Sequence, residues 1–418
     1  MLDIKFIREN SELVKKSCAA KQVDCDIDKL LELDERRRQY LREIEDLRSR
    51  QKKLGKEQME EGKKIKKTMK GLAPTFEEIE KEYMELMYQI PNIPKEEVPE
   101  GKDEEDNVVL RQWGKIPKFD FKAKNHLELG EDLDIIDVKR ASKVSGTRFS
   151  YLKGEAALLQ FALVDLIFNA AVKQDFIPII PPVMIREDIT KKLGYWEGEG
   201  KEDYYVVTDP NNEEEKEDHE EFYLVGTAEH AIAPMHKDEV LDEKDLPRRY
   251  IGFSTAFRRE AGSYGKDTKG ILRVHQFDKI ELFSICHPDK SEEEHKFLLA
   301  FEEKLWQALK IPHQVVQLST GDMSNPSATT IDIEAWMPGQ DKYREVSSAS
   351  NTTDFQSRRL NIRFKKKDGK LDFVHMLNAT GFPVGRTIIA ILENNQQKDG
   401  SVKIPKVLQK YIGKKDIK

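Results

Sequence analysis

Two heptad seams separated by a short break constrain this chain more than any other feature. Leu30, Leu33, Arg37, Tyr40, Ile44, Leu47, Gln51 and Leu54 follow at alternating intervals of three and four. Phe76, Ile79, Tyr83, Leu86 and Ile90 do the same. That spacing keeps one stripe of each helix turned toward a partner, so residues 28–90 read as an antiparallel coiled-coil hairpin. Gly55, Gly62, Gly71 and Pro74 lie between the seams and are expected to form its tip. A helix pair inside a globular bundle is the alternative. Residues 36–70 hold fourteen Lys or Arg against six acids, whereas the return helix carries Glu77, Glu78, Glu80, Glu82 and Glu85. A basic rod can grip a phosphate backbone by releasing its counterions; the same charges also suit a merely solvated face.

The prolines of Ile90-Pro-Asn-Ile-Pro94 end the second helix, since each denies a backbone donor. A polar stretch over 95–125 follows, with acids at 103–106. This predicts an N-terminal domain over 1–110 and a second domain over 111–418. The whole chain has 418 residues and a net charge of −7, so a nucleic-acid partner must meet a local basic patch. Cys18, Cys25 and Cys286 form no disulfide framework or metal-knuckle spacing, which fits a reducing cytosol. Charges at Asp3, Lys5, Arg8 and Glu9 argue against a signal peptide. The apolar window 156–172 is broken by Gln160, Asp165 and Asn169, and reads as a buried helix more readily than a membrane span.

From His126 onward the texture is α+β. A long helix over 155–175 leads into FIPIIPPVMI (176–185), where three prolines suit an edge or interface strand. The acidic run 213–221 reads as a solvated loop. FYLVGTAEHAIAPM (222–235) reads as strand, turn and helix, with Thr227 able to cap the helix or, with Glu229, to face a ligand. The stretch 250–285 reads as a long strand hairpin with a Gly-rich tip over 261–272. Alternation puts Arg258 and Glu260 on one face, Arg259 on the other, and Phe277, Lys279 and Glu281 together on the return strand. Such a face makes a poor core and a good floor for a small molecule; it also fits a solvated edge laced with ion pairs. Strands follow at 330–338, with Asp332 and Glu334 sharing a face, and at 343–350. In TGFPVGR (380–386) Gly and Pro are expected to break a strand before a helix over 387–396. Arg386 at that helix start would suit a phosphate.

Read in order, these residues resemble the bacterial-type seryl-tRNA synthetases, class II aminoacyl-tRNA synthetases, over essentially the whole chain. The resemblance rests on MLDIKFIREN at 1–10, the hairpin, IPNIP, DNVVLRQW at 106–113, KVSGTRF at 143–149 and VLQKY at 407–411. The three class II signatures also occur in order: the region around Pro181, FRRE to FDKIE, and GFPVGRT. The resemblance implies an antiparallel sheet flanked by helices, and a homodimer interface running from the long helix through Pro181. It implies a serine pocket at Thr227, Ala228, Glu229, Arg258, Glu281 and Thr380, with Glu281 meeting the substrate ammonium. ATP would meet Arg258, Arg259, Glu260, Val274, Phe277, Glu345, Val346, Ser347, Ser348 and Arg386. Within that set Arg258 would bridge the α-phosphate and the serine carboxylate, Glu260 the adenine amino group, Phe277 the ring and Arg386 the γ-phosphate. Glu345 and Ser348 would supply oxygens to Mg²⁺.

The implied activity is attachment of L-serine to serine tRNA through a seryl-adenylate in the cytoplasm. Arg258, Arg386 and Glu345 would carry the catalysis, and the segment 261–272 would order over ATP. The rod would hold the long variable arm of a tRNA whose acceptor end enters the other subunit. Whether selenocysteine tRNA, which shares a long arm, is a second substrate stays open. Two other readings are a ligase that charges a carrier protein, whose relatives lack the rod, and a non-catalytic tRNA-binding paralogue, which would tend to lose Arg258 and Arg386. The chain departs from the family pattern in a hairpin shorter by about a heptad or more, and in Thr329, near where many relatives carry a Lys.

Overall fold

The structure is a computed structural model and describes residues 1–195, 198–208, 221–261 and 269–418. It divides into two compact units, 1–93 and 94–418. The division falls upstream of the expected residue 110 because the linker is already built into the second unit. There the Lys95 N–H donates to Ala328 O at 2.9 Å, and strand β1 (Val108–Trp113) pairs with β5 (His313–Gln317).

In the first unit, α1 (Ile27–Lys53) and α2 (Met59–Gln89) form the hairpin. Leu30, Leu33, Ile44, Ile79 and Tyr83 are buried along the seam. Arg37 is accommodated there because its Nη2 donates to Glu80 Oε1 at 3.1 Å while its guanidinium stacks 4.8 Å from the Tyr83 ring centre. The tip is tighter than the glycines suggest. α2 runs straight through Gly62, Gly71 and Pro74, and only 54–58 separate the helices. The seam explains this: Ile65, Met69 and Leu72 continue the spacing of Phe76 and Ile79, and packing overrides the missing Pro74 donor. Arg42, Arg48, Arg50, Lys64, Lys66 and Lys67 are exposed.

The second unit is built on an eight-stranded sheet. Its remaining strands are β2 (Phe176–Ile179), β3 (Arg248–Phe257), β4 (Gln276–Cys286), β6 (Thr329–Met337), β7 (Lys342–Asn351) and β8 (His375–Pro383). The order is β1-β5-β6-β7-β8-β4-β3-β2. All neighbours are antiparallel except β2 and β3. Pro178 lies on β2, the outermost strand, where an absent N–H costs no ladder bond. Helices α3 (Gly154–Val172), α4 (Ser291–Leu309) and α5 (Val384–Asn395) bury one sheet face through Ile280, Leu282, Val346, Ala349, Leu377 and Phe382. By alternation, the opposite face receives Lys279, Ser348, Ser350, Asn378 and Thr380.

Two expectations about strand ends change. β3 stops at Phe257, so Arg258–Glu260 lie beyond the strand, with Glu260 at φ +54°. Along β6 the alternation holds as expected: Ile333, Ala335 and Met337 face the core, and Asp332 and Glu334 share the other face, the bulge opposite Ile333–Glu334 being taken up by Val346 of β7. β8 continues through Gly381 to Pro383, and α5 begins at Val384 rather than 387. Gly381 is needed there because a Cβ would lie 2.2 Å from Ile167 Cδ1 of α3. The tip residues 262–268 and most of the acidic run lie outside the described residues.

α3 is long and apolar enough to cross a membrane by length and composition alone. One stripe of it, Leu159, Leu163 and Ile167, is fully buried in the core, while Leu158 and Phe161 are exposed.

Candidate active site

The site lies on the sheet face away from α4 and α5. It is a pair of adjacent cavities of about 370 and 190 Å³. Arg258, Lys279, Glu345 and Thr380 border both. The larger cavity takes Thr227 and Glu229 from the turn and short helix after Phe222–Leu224, Ser348 and Ser350 from β7, and Asn378 from β8. The smaller takes Glu260, Val274, Phe277, Val346 and Arg386.

Arg258 is aimed rather than free. Its Nε donates to Gly226 O at 3.1 Å, and its guanidinium lies 5.4 Å from the Phe277 ring centre. Arg386, in the first turn of α5, donates from Nη1 to Glu345 O at 2.9 Å and pairs with Glu345 Oε2 at 3.1 Å. Glu260 pairs with Arg273 at 3.3 Å. Both guanidinium groups border the smaller cavity, an arrangement whose chemistry suits phosphate oxygens.

The larger cavity is acidic. Glu281 is fully buried behind its wall, accepting from Thr227 Oγ1 at 3.2 Å and pairing with Lys279 at 2.8 Å. Burial pushes its carboxyl up, and Lys279 and Thr227 pull it back. Glu229 accepts from Tyr195 Oη at 2.9 Å and Gln356 Nε2 at 2.9 Å. Burial and the nearby Glu281 nevertheless push it up to about 7. His230 is buried beside Arg258 and Lys279, which holds it down at about 3, so its ring is neutral. Desolvation raises Glu345, but Arg386 outweighs it and keeps that carboxyl below its usual range. Asp332 faces Ser348 across the ladder, is raised by burial and then by Glu345, and shares the acidic corner.

Most of the expected residues therefore meet in one cleft, but four do not line it. Ala228 is fully buried in the core beside Ile232. Ser347 faces the helices and accepts from Trp306 Nε1 at 2.9 Å. Arg259 is exposed outside both cavities. Glu281 stands behind Thr227 and Lys279 rather than on the surface. Sequence reasoning put Lys279 on the candidate floor without giving it a role, and did not assign Asn378, Tyr195 or Gln356 to the site. The period of two carries Lys279 with Glu281 and Asn378 with Thr380; nothing local marks Tyr195 or Gln356.

Among the described residues no cluster of three or more His, Cys, Asp or Glu could hold a metal by itself. Glu345 and Ser348 offer one carboxylate and one hydroxyl. That donor set fits Mg²⁺, which keeps several waters and shares substrate phosphates.

An antiparallel sheet backed by helices, with paired arginines over an acidic pocket, is the catalytic core of a class II aminoacyl-tRNA synthetase. The family described as tRNA synthetase class II core domain (G, H, P, S and T) matches residues 207–395, and the seryl-tRNA synthetase N-terminal domain matches residues 1–94. A serine–tRNA ligase of Dictyoglomus turgidum is 43% identical, with 100% of this chain and 99% of the relative covered. The crystal structure of the Pyrococcus horikoshii seryl-tRNA synthetase complexed with ATP superposes with a TM-score of 0.89 at 41% identity, covering 100% and 99% of the two chains. A prolyl-tRNA synthetase of Giardia lamblia shares the fold at 16% identity and a TM-score of 0.60, covering 68% and 55%. The chain belongs to the seryl-tRNA synthetase family.

Proposed function

We propose that this chain attaches L-serine to serine tRNA at the expense of ATP, through a seryl-adenylate, releasing AMP and pyrophosphate. The observation that carries the reading is the pairing of an acidic pocket with an arginine-walled cavity across the shared residues Arg258 and Thr380. An amino acid held in the first presents its carboxylate to a nucleotide held in the second. Attack on the α-phosphorus needs no protein nucleophile, so positioning and charge neutralisation do the work.

In this reading Glu281 and Glu229 receive the serine ammonium, and Thr227 and Thr380 bond its hydroxyl. A site that pairs a hydroxyl rejects alanine, because its own polar groups would be left unsatisfied. Arg258 holds the serine carboxylate and α-phosphate together. Phe277 and Val274 wall the adenine, Glu260 meets its amino group and Arg386 takes the γ-phosphate. Glu345 and Ser348 would hold Mg²⁺, which when bound neutralises phosphate charge. Ala228, Arg259, Val346 and Ser347 contribute through backbone and packing.

The exposed basic residues of the hairpin support a grip on the long variable arm of serine tRNA. Exposed Leu158, Phe161, Ile177, Ile180 and Met184, along α3 and just beyond it, support a homodimer that covers them. We place the enzyme in the cytoplasm, consistent with its free cysteines. A carrier-protein ligase is disfavoured by the hairpin, and a non-catalytic paralogue by the retained Arg258 and Arg386.

The test is amino-acid-dependent ATP–pyrophosphate exchange across the standard amino acids, followed by charging of serine tRNA. Exchange with serine, then charging, is expected. Exchange with another amino acid alone, or none from the folded protein, would overturn the reading.

A further inference from the structure

Glu393, fully buried near the end of α5, accepts the backbone N–H groups of His126 and Gly339, each at 2.8 Å. The His126 ring stands against the same carboxylate, with Nδ1 3.1 Å from Glu393 Oε1. Its other nitrogen, Nε2, receives the Ile271 backbone N–H at 3.3 Å. An amide N–H only donates, so Nε2 carries no proton. The neutral ring then bears its proton on Nδ1, where it donates to the carboxylate. Two bonds thus select one tautomer.

Gly270 makes the approach possible. It sits at φ +77°, and a Cβ there would lie 2.0 Å from His126 Nε2. The residue after Ile271 reaches the site: Leu272 O accepts from Arg386 Nε at 3.4 Å. Ile271 and Leu272 are both buried, and both border the smaller cavity together with Val274. His126 borders neither cavity. A path of hydrogen bonds therefore runs from Glu393 through the imidazole to Ile271–Leu272, and from there to Arg386.

We propose that His126 is a positioning residue for ATP. By accepting the Ile271 N–H it fixes the Leu272 carbonyl that aims the Arg386 guanidinium. This rests on the reading that ATP phosphates meet Arg386. Side-chain amides separate the two bonds. Gln puts an acceptor oxygen near the place of Nε2 and can keep the Ile271 bond. Asn puts a donor near the place of Nδ1 and keeps only the bond to Glu393.

In serine-dependent pyrophosphate exchange, His126→Asn is expected to raise the KM for ATP about tenfold, with the KM for serine within about twofold and kcat falling less. His126→Gln should restore most of the ATP KM. Equal damage in both variants, or both KM values rising together with a lower melting temperature, would assign His126 to packing and overturn the proposal. Arg386→Ala, run alongside, tells the two failures apart. If it leaves ATP use intact, the ATP site itself is misassigned; if it cripples ATP use while His126→Asn does nothing, only the role of His126 falls.

Discussion

Lys279 Nζ lies 2.8 Å from Glu281 Oε2, two residues along the same strand and on the same face. Thr227 donates to that oxygen as well, while Glu281 Oε1 is buried without a hydrogen bond among the described residues. The carboxylate assigned to the serine ammonium therefore already has a resident cation, and keeps one oxygen in reserve. Burial raises Glu281, and Lys279 is the largest influence pulling it back. Removing the lysine removes that pull, so Glu281 would ionise only at higher pH. Lys279→Met is expected to shift the acid limb of kcat/KM for serine to higher pH. At pH 7 the KM for serine should rise at least about tenfold. A pH–rate profile with an unmoved acid limb would show that Lys279 does not tune this site.

Arg258 and Arg386 approach the shared cleft from different elements, one just past β3 and one in the first turn of α5. Each charge is already aimed by a backbone carbonyl, Gly226 O or Glu345 O. Arg258→Ala and Arg386→Ala should each lower serine-dependent exchange by about a hundredfold or more, as the loss of a preorganised charge does elsewhere. Arg386→Lys keeps the charge but loses the fork, and should recover only part. Normal exchange by both alanine variants, with unchanged circular dichroism, would rule out the assigned ATP site.

Glu229 makes stability depend on pH in an unusual sense. Its carboxyl ionises near 7 in the folded chain, against an ordinary value of 4.5. Between those values the native state holds a proton that the unfolded state has released. Stability therefore falls as pH rises through this window, by about 3 kcal/mol once complete above pH 7. Glu229→Gln deletes the titration. The difference in denaturant midpoint between pH 5 and pH 8 should shrink relative to the parent, while serine binding is lost. An unchanged difference would mean that Glu229 is ionised at pH 5.

How much of this was legible without coordinates differs from place to place. Hairpin helices and strands β3 and β4 announce themselves because a heptad and a period of two are local signals. Arg258 and Arg386 could be reached from motif and resemblance. Strand ends could not: Arg258–Glu260 leave the ladder after Phe257, with Glu260 at φ +54°, and Gly381 lies within β8 where Ile167 of α3 presses against it. Nor could Ser347 be separated from Ser348, since only the sheet decides which faces Trp306. Tyr195 and Gln356 converge on Glu229 from distant segments, and such convergence leaves no trace in spacing. The hairpin tip misled because glycines and a proline suggest a loop. The apolar stripe at Ile65, Met69 and Leu72 outweighs them.

Phe161 is 65% exposed and Ile180 76%, an unusual cost for apolar side chains facing water. If a second copy covers them, a charge at either position must be desolvated on association. Phe161→Glu with Ile180→Glu should turn a dimer into a monomer in analytical ultracentrifugation. A parent chain that sediments as a monomer at micromolar concentration would refute the interface.

The hairpin offers the sharpest separation of functions. Its basic residues lie in the unit 1–93, whereas every residue of the cleft lies in 94–418. Adenylation should therefore survive loss of the hairpin, and charging should not. Removing residues 36–85 is expected to leave serine-dependent exchange within about twofold and to cripple tRNA charging. A milder variant avoids doubt about folding. Lys64, Lys66 and Lys67 are exposed on α2, so replacing all three with Ala leaves the buried seam untouched. If they neutralise phosphates, the KM for tRNA rises, and the slope of log affinity against log salt falls by on the order of one for each phosphate no longer neutralised. A weaker grip with an unchanged slope would mean that these lysines act through something other than phosphate charge. Charging at normal efficiency without residues 36–85 would leave the hairpin a purely structural element.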